Sequence, residues 1–308
     1  MIHVPLITPF GSDGRVAAAA LEDLAHEVLA DGAGGLVALG TTGEPAALDD
    51  GERAEVAAVV GRVCDERGAR FVVGVGASGT RRAAAGLAAL AALPVVPDAA
   101  LVTVPSFLRP GEAGVVAHFR ELAAASPVPL LVYHVPYRTA QPLSAAALAE
   151  LAGIPGVAGV KYATGRVDGQ TVELMGALPD GFEVLAGDDV LAPALFALGA
   201  HGAVLASAHL ATAAWAHLAS GGGTGPDRAA LGHRLAALAA AVFREPNPAV
   251  VKAVLHAQGR IPTPDVRLPL LPASREAFED ALGALDTLAG PDAYEGARAG
   301  AARGRLVP

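Results

Sequence analysis

Pro129-Leu-Leu-Val-Tyr-His-Val-Pro136 is an unbroken apolar run, and Val157-Ala-Gly-Val-Lys-Tyr-Ala-Thr164 is a second. A helical pattern over 144–152 separates them, with Ser144 placed to cap its start. Continuous apolar runs suit parallel strands buried on both faces, and a parallel pair needs a crossover, usually a helix. The same unit recurs outward in both directions. Strand-like runs fall at 3–10, 35–40, 70–76, 99–105, 129–136, 157–164, 182–189 and 202–208. Helical patterns lie between them, for example at 16–30, 49–66, 112–125 and 190–198, with Asp49 or Asp50 as a further cap. Eight such units predict a closed (β/α)8 TIM barrel, with an open doubly wound sheet as the alternative. After residue 208 helices follow without strands, at 212–219, 227–243, 248–258 and 274–288. The expected organisation is therefore a barrel over 1–210, a C-terminal helical appendage over 211–290 packed on it as one structural unit, and a flexible tail over 291–308.

Composition narrows the function. The chain has 308 residues, a net charge of −9, 53% hydrophobic and 17% charged residues, which provides a large core and excludes disorder as the main state. An acidic balance and 4% aromatics argue against a nucleic-acid partner. One cysteine, Cys64, excludes a disulfide framework. Nine histidines show no metal-binding spacing, so no metal is expected. No apolar stretch is long enough to span a membrane and the N-terminus does not read as a signal peptide, so a cytoplasmic setting is expected. Gly74-Val-Gly-Ala-Ser-Gly79 matches a dinucleotide fingerprint, but it lies in the third unit and lacks an acidic residue at the end of the next strand. It reads as a tight turn between strand and helix.

The cations single out one residue. Of 22 lysines and arginines only Lys161 and Lys252 are lysines. Lysine can lose its proton where arginine effectively cannot. Lys161 sits inside an apolar strand, where burial favours a neutral, nucleophilic amine. It reads as a Schiff-base lysine; the alternatives are a snorkelling side chain or a partner of a buried carboxylate. Lys252 reads as an ordinary helical lysine. Tyr133 lies one strand earlier, where it could face Lys161 across the barrel and relay protons, or simply pack in the core. Gly40-Thr-Thr-Gly-Glu44 follows a strand and offers hydroxyls and amides as a small anion cradle, or a capped turn. Arg138 could clamp a carboxylate or lie free on a loop. Asp188 and Asp189 read as N-caps of the next helix, with general acid/base groups or metal ligands as the alternative, and His134 reads as a buried structural histidine on the opposite face to Tyr133.

At these residues the chain resembles the dihydrodipicolinate synthase / N-acetylneuraminate lyase family. GTTGE (40–44), YHVPYRT (133–139), GVKYATG (159–165), AGDD (186–189), NPAVVK (247–252) and RLPLLP (267–272) occur in the family's order and spacing. The resemblance implies a barrel with C-terminal helices, a homotetramer built as a dimer of dimers, and class I aldolase chemistry on pyruvate. It implies that Lys161 forms the imine, so that no separate cofactor is needed. Tyr133 and Thr41 then relay protons. Thr42, with the backbone of Thr41, holds the pyruvate carboxylate, and Gly40 and Val204 complete the substrate-binding set. Arg138 matches the arginine that, in the synthase branch, receives the second substrate's carboxylate. The implied partners are a small keto acid and an aldehyde.

The chain also departs from the pattern. Synthases carry a Pro-Tyr-Tyr segment after strand four whose second tyrosine reaches a neighbouring subunit's site; here it is Pro105-Ser-Phe107. Ser106 replaces an aromatic of the lysine regulatory site, and Tyr162 stands where synthases often have glutamate. The resemblance therefore leaves three expectations: a Schiff-base lyase of the synthase kind, a 2-keto-3-deoxy sugar-acid aldolase or dehydratase, or a keto-acid-binding member without activity.

Overall fold

The computed structural model describes residues 1–288. Eight parallel strands, β1 (Ile2–Pro5), β2 (Gly35–Ala38), β3 (Arg70–Val75), β4 (Ala99–Thr103), β5 (Leu130–His134), β6 (Val157–Tyr162), β7 (Glu183–Ala186) and β8 (Gly202–Val204), close in sequence order, with β8 returning to pair with β1. The closed barrel excludes the doubly wound alternative. The crossovers are helical: α1 (Ala18–Ala30), α2 (Asp50–Arg67), α3 (Thr80–Ala89), α4 (Gly111–Ala125), α5 (Pro136–Thr139), α6 (Ala145–Ala152), α7 (Gly169–Ala177) and α8 (Ala192–Ala197). Then come α9 (Ala208–Ala219), α10 (Gly225–Val242), α11 (Ala249–Ala257) and α12 (Arg275–Leu288). No helix among the described residues is long and apolar enough to cross a membrane. The tail read at 291–308 lies outside the described residues.

Residue type explains the local structure. Asp49 opens α2 with a full capping box, accepting from the Glu52 amide at 2.8 Å while the Glu52 carboxylate returns to the Asp49 amide. Ser144 caps α6 through the Ala147 amide. Along each strand alternate residues face opposite ways. Val37, Val72, Leu101, Leu131, Leu185 and Val204 fill the barrel interior. Val73, Ala100, Val132, Val160 and Val184 belong to the larger core that contacts the helices. The strands end earlier than the apolar runs because the last residues of each run turn into loops that remain buried. Leu6 and Ile7, for instance, lie beyond β1 yet are at most 2% exposed. Likewise α9 begins four residues before the expected 212. Its first turn is irregular, with Ala211 at φ −147°, and the Thr212 hydroxyl bonds back to Ala208 O at 2.6 Å.

Gly74 explains the glycine-rich sequence at 74–79. A Cβ there would lie 2.2 Å from Leu39 O, so the first glycine lets β3 pass the turn that leaves β2. Its role is packing, in keeping with the tight-turn reading.

Four buried histidines make the fold sensitive to acid. Burial pushes the pKa values of His3, His134 and His209 down to about 4 and also lowers that of His118. His209 is held by the Ile7 amide on Nε2 and by Ala206 O beside Nδ1. The unfolded chain binds these protons near pH 6.5 and the native chain does not. Their stabilisation is therefore complete above about pH 6.5 and is lost as pH falls toward 4. Asp188 and Asp189, whose pKa values burial raises, act in the opposite sense over part of this window but are outnumbered. Urea unfolding should show a net loss on the order of 3 kcal/mol between pH 7 and pH 5; a flat profile would contradict the histidine assignment.

Candidate active site

Tyr133, Lys161 and Val204 lie at the C-terminal ends of strands, and Gly40, Thr41, Thr42 and Arg138 in the segments that follow strand ends, the side where barrel enzymes place their chemistry. Tyr133 and Lys161 are in register on β5 and β6. They are therefore neighbours on adjacent strands and do not face each other across the barrel. Both are 6% exposed, and the Lys161 ammonium lies 4.3 Å from the centroid of the Tyr133 ring. Among the described residues Lys161 Nζ donates no hydrogen bond and joins no ion pair. Its stem crosses Gly187, where a Cβ would meet Lys161 Cγ at 2.8 Å and Cε at 3.0 Å. Glycine at the end of β7 thus makes the channel in which the lysine lies.

Gly40, Thr41 and Thr42 follow β2 in a short turn, Thr41–Gly43, closed by Gly43 N–H to Gly40 O at 2.9 Å. Four contacts fix it. The Thr8 hydroxyl donates to Gly43 O at 2.8 Å and Asn247 Nδ2 to Thr42 Oγ1 at 2.9 Å. The Glu44 carboxylate accepts from Lys252 Nζ at 2.5 Å and from the Arg267 amide at 2.8 Å. Lys252 is therefore not an ordinary helical lysine. Its side chain is fully buried, it donates also to Asp265 O, and its ammonium rests 4.0 Å over the Phe10 ring. Burial pulls its pKa down to about 8 against the pull of Glu44. Val204 closes the barrel interior at the end of β8, 2% exposed.

Asp188 and Asp189 do not cap α8, as the sequence suggested. Asp188 accepts from the Gly165 amide at 2.5 Å, and the buried Asp189 accepts from both the amide and the hydroxyl of Ser207, at 2.7 and 2.6 Å. Trp215 Nε1 in turn donates to the Ser207 hydroxyl. Burial raises the Asp189 pKa to about 6, while the Ser207 bonds and the Lys161 charge pull it back. The loop from β7 thus turns its carboxylates back toward the lysine and the neighbouring loops. Arg138, exposed on α5, lines a cleft of about 490 Å³ with Tyr137, Gly165, Asp188, Asp189 and Asn247. That cleft joins the arginine to Asn247, the donor to Thr42. His134 is buried on the outer face of β5, 1% exposed, near the ring of Tyr162. Phe107 is 92% exposed at φ 69°, and Ser106 meets Ser78.

Sequence reasoning missed Asn247, Ser207 and the pairing of Lys252. For Lys252 a signal was present, since it is the second lysine in a chain that otherwise uses arginine and is flanked by valine and alanine.

The barrel and its interior lysine define a class to which comparison gives a name. Residues 1–286 match the model of the Dihydrodipicolinate synthetase family, and the chain belongs to that family. It is 36% identical over 271 residues to the 4-hydroxy-tetrahydrodipicolinate synthase of Neisseria meningitidis serogroup B, covering 87% of this chain and 91% of the other. It is 36% identical to the Synechococcus elongatus protein of the same name, covering 88% and 90% of the two chains. A chloride-inhibited dihydrodipicolinate synthase from Acinetobacter baumannii, solved with pyruvate, superposes with a TM-score of 0.85 at 34% identity, over 92% of this chain and 97% of that one.

The Lys161 channel tolerates no methyl group at Gly187. Gly187→Ala should displace the lysine stem and cut lyase turnover by about tenfold or more, because reacting groups shifted by about 1 Å lose their alignment. Thermal unfolding reports whether the fold persists, and an unchanged turnover would contradict the channel assignment.

Proposed function

We propose that this chain is a class I lyase that binds pyruvate or a close 2-keto acid as an imine on Lys161 and joins it to an aldehyde, as a dihydrodipicolinate synthase does. The observation that carries the reading is a buried lysine on the inner face of β6, in register with Tyr133 and without a hydrogen-bond or ion-pair partner among the described residues. In its neutral form the Lys161 amine attacks the C2 carbonyl, a carbon–nitrogen bond forms and the carbonyl oxygen takes a proton. Loss of water from this carbinolamine leaves the imine. Removal of a C3 proton gives an enamine, whose C3 attacks the aldehyde carbon, and the new alkoxide takes up a proton. Tyr133 and Thr41 are the proposed proton carriers. The turn at Gly40, Thr41 and Thr42 takes the keto-acid carboxylate, Val204 walls the pocket, and Arg138 in the cleft takes the carboxylate of the second substrate. The imine uses the chain's own lysine, so the scheme needs no cofactor. A homotetramer is the proposed assembly; the structural neighbours also include a monomeric dihydrodipicolinate synthase variant.

Pyruvate with borohydride should leave a stable adduct on the Lys161 peptide, read by mass spectrometry. Lys161→Arg should abolish turnover and labelling while keeping the fold, because arginine retains the charge but does not form this imine. An adduct confined to Lys252, or none with any keto acid, would overturn the proposal.

Phe107 favours a second reading of the natural substrate. In the synthases this chain resembles, the tyrosine at this position reaches a neighbouring subunit's site, so in the proposed homotetramer a phenol here would extend the proton relay and phenylalanine cannot; a positioned acid–base group contributes ~10²–10⁴ in rate. With pyruvate and aspartate semialdehyde the wild type should be slow and Phe107→Tyr faster. That result points to a 2-keto-3-deoxy sugar acid, or another keto acid or aldehyde, as the physiological substrate. A wild-type rate of ~10 s⁻¹ or more would instead assign the synthase reaction without this relay.

A further inference from the structure

We infer that Glu44 and Lys252 are positioning residues, a buried strut by which the C-terminal helices hold the Thr41–Thr42 turn in its carboxylate-binding shape. The inference rests on the keto-acid reading of that turn. The barrel closes through its strand ladders alone, so a charged link 208 residues long in sequence is not needed to complete it. Such a link is costly, because both ions leave water, and an apolar pair of similar volume often serves stability equally well. The Glu44 and Lys252 side chains are 1% and 0% exposed.

Its location suggests what the link does. Glu44 stands at φ 54°, a left-handed conformation unfavourable for a residue with a side chain. In that conformation its own amide closes on Thr41 O at 3.2 Å and ends the turn. Both carboxylate oxygens are held, one by Lys252 on α11 and the other by the Arg267 amide. Lys252 is anchored by Asp265 O and the Phe10 ring. One turn of chain away, Asn247 holds the Thr42 hydroxyl. The strained residue is therefore clamped from the appendage, and the amides and hydroxyls of Thr41 and Thr42 inherit their placement from the clamp. An anion site needs such fixed donors, since donors that must reorganise bind less well.

The test compares two ketones on the full-length protein. Borohydride trapping at Lys161 is measured with pyruvate and with hydroxyacetone, which has the carbonyl but no carboxylate. In Lys252→Met, and in the double variant Glu44→Gln/Lys252→Met where both charges are removed together, the ratio of pyruvate to hydroxyacetone trapping rates at equal low concentration should fall about 10- to 100-fold. Asn247→Ala should lower the same ratio by a smaller factor. General damage to the site would depress both ketones and leave the ratio unchanged. If Lys252→Met does not fold, the double variant and Asn247→Ala decide the matter. An unchanged ratio in those two folded variants overturns the strut. Absence of any pyruvate adduct in the wild type overturns the keto-acid reading, and this inference with it.

Discussion

The closed parallel ladder governs everything else in the molecule. Once β8 pairs with β1, each strand has one face inside the barrel and one against the helices, and a residue's parity within its strand decides its environment. Leu131 and Tyr133 point inward while Val132 and His134 point outward. In β6 the same parity turns Lys161 inward and Tyr162 outward, where the Tyr162 hydroxyl meets Thr171 on α7. The register that pairs Tyr133 with Lys161 then places a phenol and an amine side by side with no help from a loop. A slip of β6 by one residue would turn Lys161 out into the helical layer and Tyr162 inward.

Around that fixed pair the loops supply what the strands cannot. Gly187 yields space to the lysine stem. Asp188 and Asp189 place two carboxylates within electrostatic reach of the ammonium. The second of these is buried and kept by Ser207, which is itself held by Trp215. A buried carboxylate is tolerable only when hydrogen-bonded, and here the donors come from the start of α9. The first helix of the appendage is thus part of the support for the loop beside Lys161, just as α11 is part of the support for the turn after β2.

How legible this was depended on the range of the interaction. Strand and helix positions follow from apolar continuity and from caps such as Asp49 and Ser144, which act over a few residues. Lys161 stood out because a lysine in an apolar run is informative on its own. The capping role expected of Asp188 and Asp189 rested on local position, and the structure spends those carboxylates on partners 23 and 18 residues away. Lys252 was misjudged for the same reason: a helical pattern accommodates a lysine, and its carboxylate partner lies in a distant turn. The glycines at 74 and 187 were visible as letters, but the atoms that crowd them belong to other strands.

The two lysines show how one residue type serves opposite ends in the same fold. Lys252 has a carboxylate, a carbonyl and an aromatic face close around its ammonium. A charge so surrounded is neutralised and hydrogen-bonded, which is what a buried ion needs in order to stay. Lys161 is almost as deeply buried, yet it has one ring face beside it and its carboxylates only at longer range. A nucleophilic amine has to leave its donors and lone pair available to a substrate, and a lysine already engaged by a carboxylate cannot do so without breaking that pair. The difference in partners, and not a difference in burial, separates the reactive candidate from the structural one. Had Lys161 carried a carboxylate partner like Glu44, the barrel would still close, but its lysine would be committed before any keto acid arrived.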